Sequence, residues 1–429
     1  MPATVILGGH WGDEGKGKVI DLLAANCSYN VRYSGGANAG HTVVNEHGSF
    51  ALHQVPSGVF HPGVVPMLAA GVVVDPQALL EEIATLRAQG VSLDRLHVSE
   101  RAHLVMPYHK ALDTAMEARR GERRLGTTGK GIGPAYSDKA ARDGLRVGDM
   151  LDRKRFAELV RQSVEAANRQ LVALYGAEPV DAEHVLDQSE EWARQLGPYI
   201  CDVERELRYG LSRGQMVLLE GAQGALLDID AGSYPYVTSS STGVAGACAS
   251  AGIPVQSVGP VVAALHAYMT RVGEGPFPTE QENGIGEHLR VVGKEFGTTT
   301  GRARRCGWFD AAASRYIVDL NGVTSLAITK LDILDGLDPL KLCVGYEIDG
   351  KIIDYVPARP ELLFRAEPVY EELPGWQGRT TPARTWEELP DGARAYVRRI
   401  EELMGVPVSI ISVGPARDET IILRDPLSM

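Results

Sequence analysis

Cysteine is scarce: Cys27, Cys201, Cys248, Cys306 and Cys343 lie scattered through 429 residues, with no CxxC pair among them. This excludes a disulfide framework, shows no zinc-site spacing and points to a reducing compartment, so the cytoplasm is the expected location. An excess of positive charge is also missing. With 43 Lys+Arg against 55 Asp+Glu the formal net charge is -12, which argues against general attraction to nucleic acid or anionic membrane and leaves small anionic ligands open. Long apolar runs are absent as well. The most apolar stretch, 64–74 (VVPMLAAGVVV), is interrupted by Pro66 and Gly71 and falls short of the roughly 18 residues a membrane span needs, so it reads as a buried strand. No basic leader region precedes it, and no internal repeat or low-complexity segment is present.

What is present is the alternation of an α/β protein. Short β-branched runs at 5–7, 72–74, 216–219, 261–265, 325–329 and 408–413 read as buried parallel strands, several of them followed by glycine-rich turns. The expected architecture is one large α/β domain over 1–429, with a mostly parallel central sheet, flanking helices and a phosphate loop. Residues 150–213 turn polar and helix-favouring, which suggests a helical insertion. Residues 341–390 suggest a small β-hairpin appendage that turns at Asp349 and Gly350.

The first glycine loop follows the run 5–7. GDEGKGK at 12–18 fits GxxxxGK before a helical run at 18–25, so Gly12, Asp13, Glu14, Gly15, Lys16, Gly17 and Lys18 are candidates for phosphate binding. Val19 stands where a metal-holding Ser or Thr is usual, and Asp13 could supply that ligand instead. A carboxylate beside phosphate is repelled unless a cation intervenes or it has chemistry to do on a neighbouring substrate. A second loop, SGGANAGHT at 34–42, follows the probable strand 29–33 and offers Asn38, His41 and Thr42 as amide, titratable group and hydroxyl.

Further along, Thr329, Lys330, Leu331 and Asp332 resemble a guanine-reading motif with Thr in place of Asn. A carboxylate there can accept from guanine N1–H and the 2-amino group, a pair that adenine lacks. Ser412, Val413 and Gly414 could close over the base from the other side. The segment GTTTGRARR at 297–305 gathers hydroxyls and the guanidiniums Arg302, Arg304 and Arg305 in an acidic chain, which suits recognition of carboxylate or phosphate. Two more loops, LGTTGKGIGPAY at 125–136 and LEGAQG at 219–224, repeat the theme. Read residue by residue, these features leave open a ligase, a regulatory GTPase and a nucleotide binder without turnover.

Taken together, GDEGKGK, SGGANAGHT, GTTGKGIGPAY, ARDGLRVGD, EGAQG, YPYVT at 234–238, RVGEGPFPTE, TTTGRARRCGW, TKLD and SVGP at 412–415 resemble the adenylosuccinate synthetase family in their order along nearly the whole chain. The resemblance implies a GTP-dependent ligase that joins L-aspartate to IMP through 6-phosphoryl-IMP, giving adenylosuccinate, GDP and phosphate, the first committed step from IMP to AMP. It implies that Asp13 takes the N1 proton of IMP and that His41 acts as the acid towards the phosphoryl group.

By the same resemblance, GTP meets Gly12 through Lys18, Gly40, His41, Thr42, Arg304, Lys330, Leu331, Asp332, Ser412, Val413 and Gly414. IMP meets Asp13, Glu14, Gly15, Lys16, Asn38, Ala39, Gly40, His41, Thr128, Gln223, Thr238 and Arg302. Aspartate meets Thr298, Thr299, Thr300, Gly301, Arg302, Ala303 and Arg304. One Mg²⁺ per subunit is implied on Asp13 and the Gly40 carbonyl. Arg142 is implied to reach the IMP of a partner subunit, hence a homodimer, with no nucleic-acid or membrane partner.

Overall fold

The computed structural model describes residues 2–121, 124–297 and 301–428. Its frame is a ten-stranded sheet. In chain order the strands are β1 (Ala3–Gly8), β2 (Tyr29–Arg32), β3 (Val65–Leu68), β4 (His97–Ser99), β5 (Ile200–Cys201), β6 (Val217–Glu220), β7 (Val258–His266), β8 (Ser325–Thr329), β9 (Val408–Ser412) and β10 (Thr420–Ile422). Across the sheet they run β10-β9-β8-β7-β1-β6-β2-β3-β4-β5, and every neighbouring pair is parallel except β9 with β10.

Both faces of this sheet are buried, which is why its strands read as continuous apolar runs. Ile6, Leu218, Val262, Ala327 and Ile410 pack on one side against Val19, Ile20 and Leu23 of the helix Lys16–Ala24. Val5, Leu7, Val217, Leu219, Val261 and Leu265 point the other way, into the main core with Val203, Ala247, Ile317 and Ile400 from four helices. Truncating a leucine such as Leu219 to alanine in packing of this kind costs about 2–5 kcal/mol.

The chain leaves β1 towards β2 and later returns to fill β7 on the other side. In such sheets the crevice for ligands opens at the carboxyl ends of the strands beside this switch. The glycine loops of 8–18, 34–42, 221–224, 267–275 and 329–332 all emerge from those ends.

The run 64–74 is not one strand. The chain turns after β3, with the Val72 N–H donating to the Ala69 carbonyl at 3.0 Å, and Val73–Val74 pairs instead with His103–Leu104 in a separate two-stranded sheet. Gly71 makes the turn possible, because a Cβ there would lie 2.3 Å from the Tyr33 carbonyl oxygen.

Within 150–213 the helices Arg153–Tyr175 and Ala182–Leu196 bury Phe156, Val160, Val164, Leu171, Val185 and Trp192 against the β3–β4 side. That segment also supplies β5, the sheet's edge. Strands Leu340–Ile348 and Lys351–Ile353 form an antiparallel hairpin, and Glu367–Leu373 pairs on the other side of the first of them. Asp349 and Gly350 turn it with φ of 51° and 75°, the left-handed pair that suits a two-residue hairpin loop.

Candidate active site

Six residues other than glycine have positive φ among the described residues: Asp13, Arg142, Gln223, Lys294, Lys330 and Asp349. Four of these, Asp13, Arg142, Gln223 and Lys330, are candidates from the sequence. Such backbone costs about 1–3 kcal/mol where the side chain is not glycine, and it clusters at binding and catalytic sites.

The first loop is tied together from inside. The Glu14 carboxylate is fully buried and accepts from the backbone N–H groups of His10 and Gly12 at 2.9 and 2.8 Å and from Lys16 Nζ at 2.6 Å. Glu14 therefore shapes the loop with its side chain, while Asp13, on the left-handed turn before it, faces outward. Thr329 Oγ1 donates to the Glu14 carbonyl at 2.8 Å, which joins the loop after β8 to the loop after β1. The threonine in the place of asparagine has that task.

Gly17 admits the second loop. A Cβ there would meet His41 Cβ at 2.9 Å and the Thr42 carbonyl oxygen at 3.1 Å, so only glycine lets His41 pack on the start of the helix. Together these loops enclose a cavity of about 340 Å³. Asp13, Gly12, Lys16, Asn38, Ala39, Gly40, His41, Thr128, Gln223 and Thr238 all line it. Gln223 Nε2 donates to Asn38 Oδ1 at 3.2 Å, linking two of its walls.

His41 is held from behind. Its Nδ1 lies 2.6 Å from Glu220 Oε1, and Arg32 Nη1 sits 2.7 Å from the same oxygen. Ser57 adds its N–H and hydroxyl to that carboxylate at 2.8 and 2.9 Å. Burial and the adjacent Arg32 push the His41 imidazole down to about 4, against the pull of Glu220. The ring is neutral at pH 7 in the ligand-free chain. Burial alone would raise the Glu220 carboxyl, but Arg32 and His41 hold it down to about 2.

Arg32 is not a candidate from the sequence, and Glu220 enters it only as a member of the loop 219–224, with no role assigned. Both end apolar strands, YNVR and VLLE, and they are direct neighbours across β2 and β6. A charged residue closing a buried run was the available signal.

Arg304 bridges two acids. Its Nη2 lies 2.8 Å from Asp13 Oδ2 and its Nη1 2.5 Å from Glu295 Oε2. The buried Glu295 carboxylate also takes Lys330 Nζ and the Tyr268 hydroxyl. Burial opposes the Arg304 charge, yet Asp13 and Glu295 keep its pKa raised.

Lys18 points away from the cavity, donating to Ser412 Oγ, the Gly414 carbonyl and the Glu419 carbonyl at 2.7, 2.7 and 2.8 Å. Burial brings its ammonium down to about 8 against Glu419 and Asp332. Lys18, Asp332, Ser412, Val413 and Gly414 thus gather at one side of the loop after β8. Burial pushes the Asp332 carboxyl above its ordinary value, against Lys330 and Lys18. Leu331 is buried beneath it and Gly15 caps the helix in a left-handed turn.

Arg302 Nη1 donates to the Gly126 carbonyl at 3.2 Å, connecting the arginine loop to the loop 125–136 over the cavity. Gly301 and Ala303 flank it on the exposed surface. Thr298, Thr299 and Thr300 lie outside the described residues. Arg142 ends the helix Ile132–Ala141, is exposed and does not line the cavity. Arg271 was missed: buried over Trp11, with its guanidinium carbon 4.8 Å from the ring centroid, it forms part of the cavity wall.

The arrangement can hold an anion on Lys16 and loop N–H groups, place a carboxylate and an imidazole on one substrate, and bind a second anion by arginine. The family model for adenylosuccinate synthetase matches residues 5–421. The chain is 51% identical over 423 residues to an adenylosuccinate synthetase of Carboxydothermus hydrogenoformans, covering 99% of each chain. It is 50% identical over 426 residues to that of Moorella thermoacetica, covering 99% of this chain and 100% of the relative. Among solved structures, the fully ligated adenylosuccinate synthetase of Plasmodium falciparum superposes with a TM-score of 0.94 at 37% identity, covering 99% of this chain and 100% of that one.

Proposed function

Since the chain belongs to the adenylosuccinate synthetase family and joins L-aspartate to IMP at the expense of GTP, we propose that Asp13 and His41 carry that chemistry inside the cavity between the loops after β1 and β2. The observation that carries the reading is that one cavity is lined by Asp13, Lys16 and His41 together. Asp13 takes the proton from N1 of IMP, so that charge builds on the 6-oxygen. That oxygen attacks the γ-phosphorus of GTP, GDP leaves, and the product is 6-phosphoryl-IMP. The aspartate amine then displaces phosphate at C6, a far better leaving group than oxide. General acid–base help of this kind is typically worth about 10² to 10⁴ in rate.

His41 acts on the phosphoryl side. Its Nδ1–H donates to Glu220, which leaves Nε2 for the substrate and compensates the positive charge that forms when the ring takes a proton. A polyanion arriving beside the ring favours that proton. Lys16 and the N–H groups of Gly15 and Gly17 receive phosphate at the helix start.

We assign GTP to Gly12 through Lys18, Gly40 to Thr42, Arg304, Lys330 to Asp332 and Ser412 to Gly414. IMP goes to Asp13 to Lys16, Asn38 to His41, Thr128, Gln223, Thr238 and Arg302. Aspartate goes to the loop 298–304, with Arg302 and Arg304 on its carboxylates. The fit to Mg²⁺ rests on donor chemistry: the Asp13 carboxylate and the Gly40 carbonyl are hard oxygen ligands lining one cavity. When bound there, the ion would neutralise phosphate charge beside Asp13.

The exposure of Arg142 away from its own cavity supports a homodimer in which it serves the partner's IMP. Unpaired Cys27, Cys201, Cys248, Cys306 and Cys343 support a cytoplasmic site of action, and no described helix is long and apolar enough to cross a membrane. The test is GDP release with IMP and L-aspartate each omitted in turn. Sustained release should need both, whereas steady hydrolysis without IMP would contradict the mechanism.

A further inference from the structure

Away from the cavity, one cluster has no part in that reaction. His97 opens β4, Cys201 closes β5, and Glu206 lies in the first turn of the helix Val203–Ser212. Cys201 pairs with Ser99 across the two strands. Side chains alternate along a strand, so His97 shares the face of Ser99 and therefore of Cys201. The helix brings Glu206 to that same face. One nitrogen, one sulfur and one carboxylate oxygen then lie within 4.8 Å of one another.

The geometry of the closest pair is informative. His97 Nδ1 is 2.8 Å from Glu206 Oε2, an ion pair when the ring is protonated. A cation that replaces the shared proton would take both groups as ligands, with Cys201 Sγ within 4.8 Å of each.

We propose that His97, Cys201 and Glu206 form a binding site for one divalent cation of borderline softness, Zn²⁺ by the chemistry of the set, with solvent completing the coordination. Imidazole, thiolate and carboxylate are the zinc ligands of proteins, and their bond lengths of about 2.0–2.3 Å require ligand atoms roughly 3.3–3.8 Å apart. The closest pair must therefore open and the widest close, each by side-chain movement of up to about 1 Å. His97 and Glu206 are each about one-third exposed, at 31%, so the site has an entry path and room for water.

His97 is remote in sequence from Cys201 and Glu206, and only one of the three ligands is a cysteine, which is why no cysteine spacing announces them. Four strand spacings of about 4.8 Å separate β4 from β1, so the ion sits on the order of 19 Å from the catalytic loop. Its effect is to pin the sheet's edge to the helix Val203–Ser212. It takes no part in turnover.

The experiment uses the full chain stripped by a chelator and kept in excess Mg²⁺, so that oxygen sites in the cavity stay filled. Zn²⁺ is titrated calorimetrically in two buffers, and Co²⁺ is titrated with absorbance detection. The expected result is one saturable site per chain, proton release on binding, a thiolate-to-cobalt charge-transfer band and a raised Tm. Cys201→Ser should lose the band and weaken Zn²⁺ binding by more than the roughly 10–100-fold that loss of an outer-shell partner costs. Its Mg²⁺-supported activity and far-ultraviolet circular dichroism should match the parent, which separates a lost ligand from a lost fold. Absence of saturable Zn²⁺ binding, or binding unchanged in both Cys201→Ser and His97→Ala, would overturn the proposal.

Discussion

Glu220 Oε1 lies 2.6 Å from His41 Nδ1, so the only imidazole in the cavity wall among the described residues is oriented by a carboxylate that is itself fully buried. Arg32 and Ser57 fix that carboxylate in turn. The His41 ring cannot rotate without breaking a buried charge network.

Glu220→Gln keeps the shape but removes the charge that compensates imidazolium. Turnover should fall by on the order of 10²-fold, while GTP and IMP dissociation constants change only a few-fold. Steady-state kinetics beside equilibrium titration of each nucleotide checks this. A variant with parental kcat would detach Glu220 from the action of His41.

Asp332→Asn tests base reading. Loss of each charge-assisted hydrogen bond costs about 1.5–3 kcal/mol, so GTP affinity should fall by roughly ten- to a hundred-fold. Xanthosine triphosphate should gain, because its 2-oxo group accepts from an amide. Competition titration with both nucleotides gives the ratio, and unchanged GTP preference would remove Asp332 from recognition.

Acid should destabilise the chain above the range where carboxylates titrate. Burial holds His10 down to about 3, burial and Arg32 hold His41 down to about 4, and burial lowers His266 well below its ordinary value. Each has a folded value below its ordinary one, so its stabilising contribution is complete above pH 6.5 and is lost as pH falls towards the folded value. At pH 5 the loss is about 2 kcal/mol for each of His10 and His41. Asp310, pushed up to about 6 by burial, works the other way and returns about 1 kcal/mol. Stabilities from urea titration at pH 7.5 and pH 5 should therefore differ by about 3 kcal/mol from His10, His41 and Asp310, with His266 adding to the loss. Equal stabilities would contradict the neutral buried histidines.

The glycine loops were legible in the sequence because close approach to a ligand demands fixed residue types at fixed spacing after a strand. Asp13, Lys16, Asn38, His41, Thr128, Gln223 and Thr238 came from five stretches of sequence, and the fold brings them to one cavity. Arg32 and Glu220 were not legible, because their meeting depends on β2 and β6 becoming neighbours across 188 residues. Nor was the direction of Lys18. A GxxxxGK match names the lysine but cannot show that Ser412 and the Gly414 carbonyl take its ammonium in the ligand-free chain. The interruption of 64–74 at Gly71 is visible in the sequence, but its use as a turn into a separate sheet is not, because Gly71 answers to Tyr33 and Ser250, both distant in sequence.

The most direct test replaces Asp13 by asparagine, which leaves the size and the left-handed turn in place and removes the base. Rapid-quench measurement of GDP formation with IMP and L-aspartate present should show the chemical step slowed by about 10² to 10⁴, with both nucleotides still bound. Formation of adenylosuccinate at the parental rate by that variant would contradict the account.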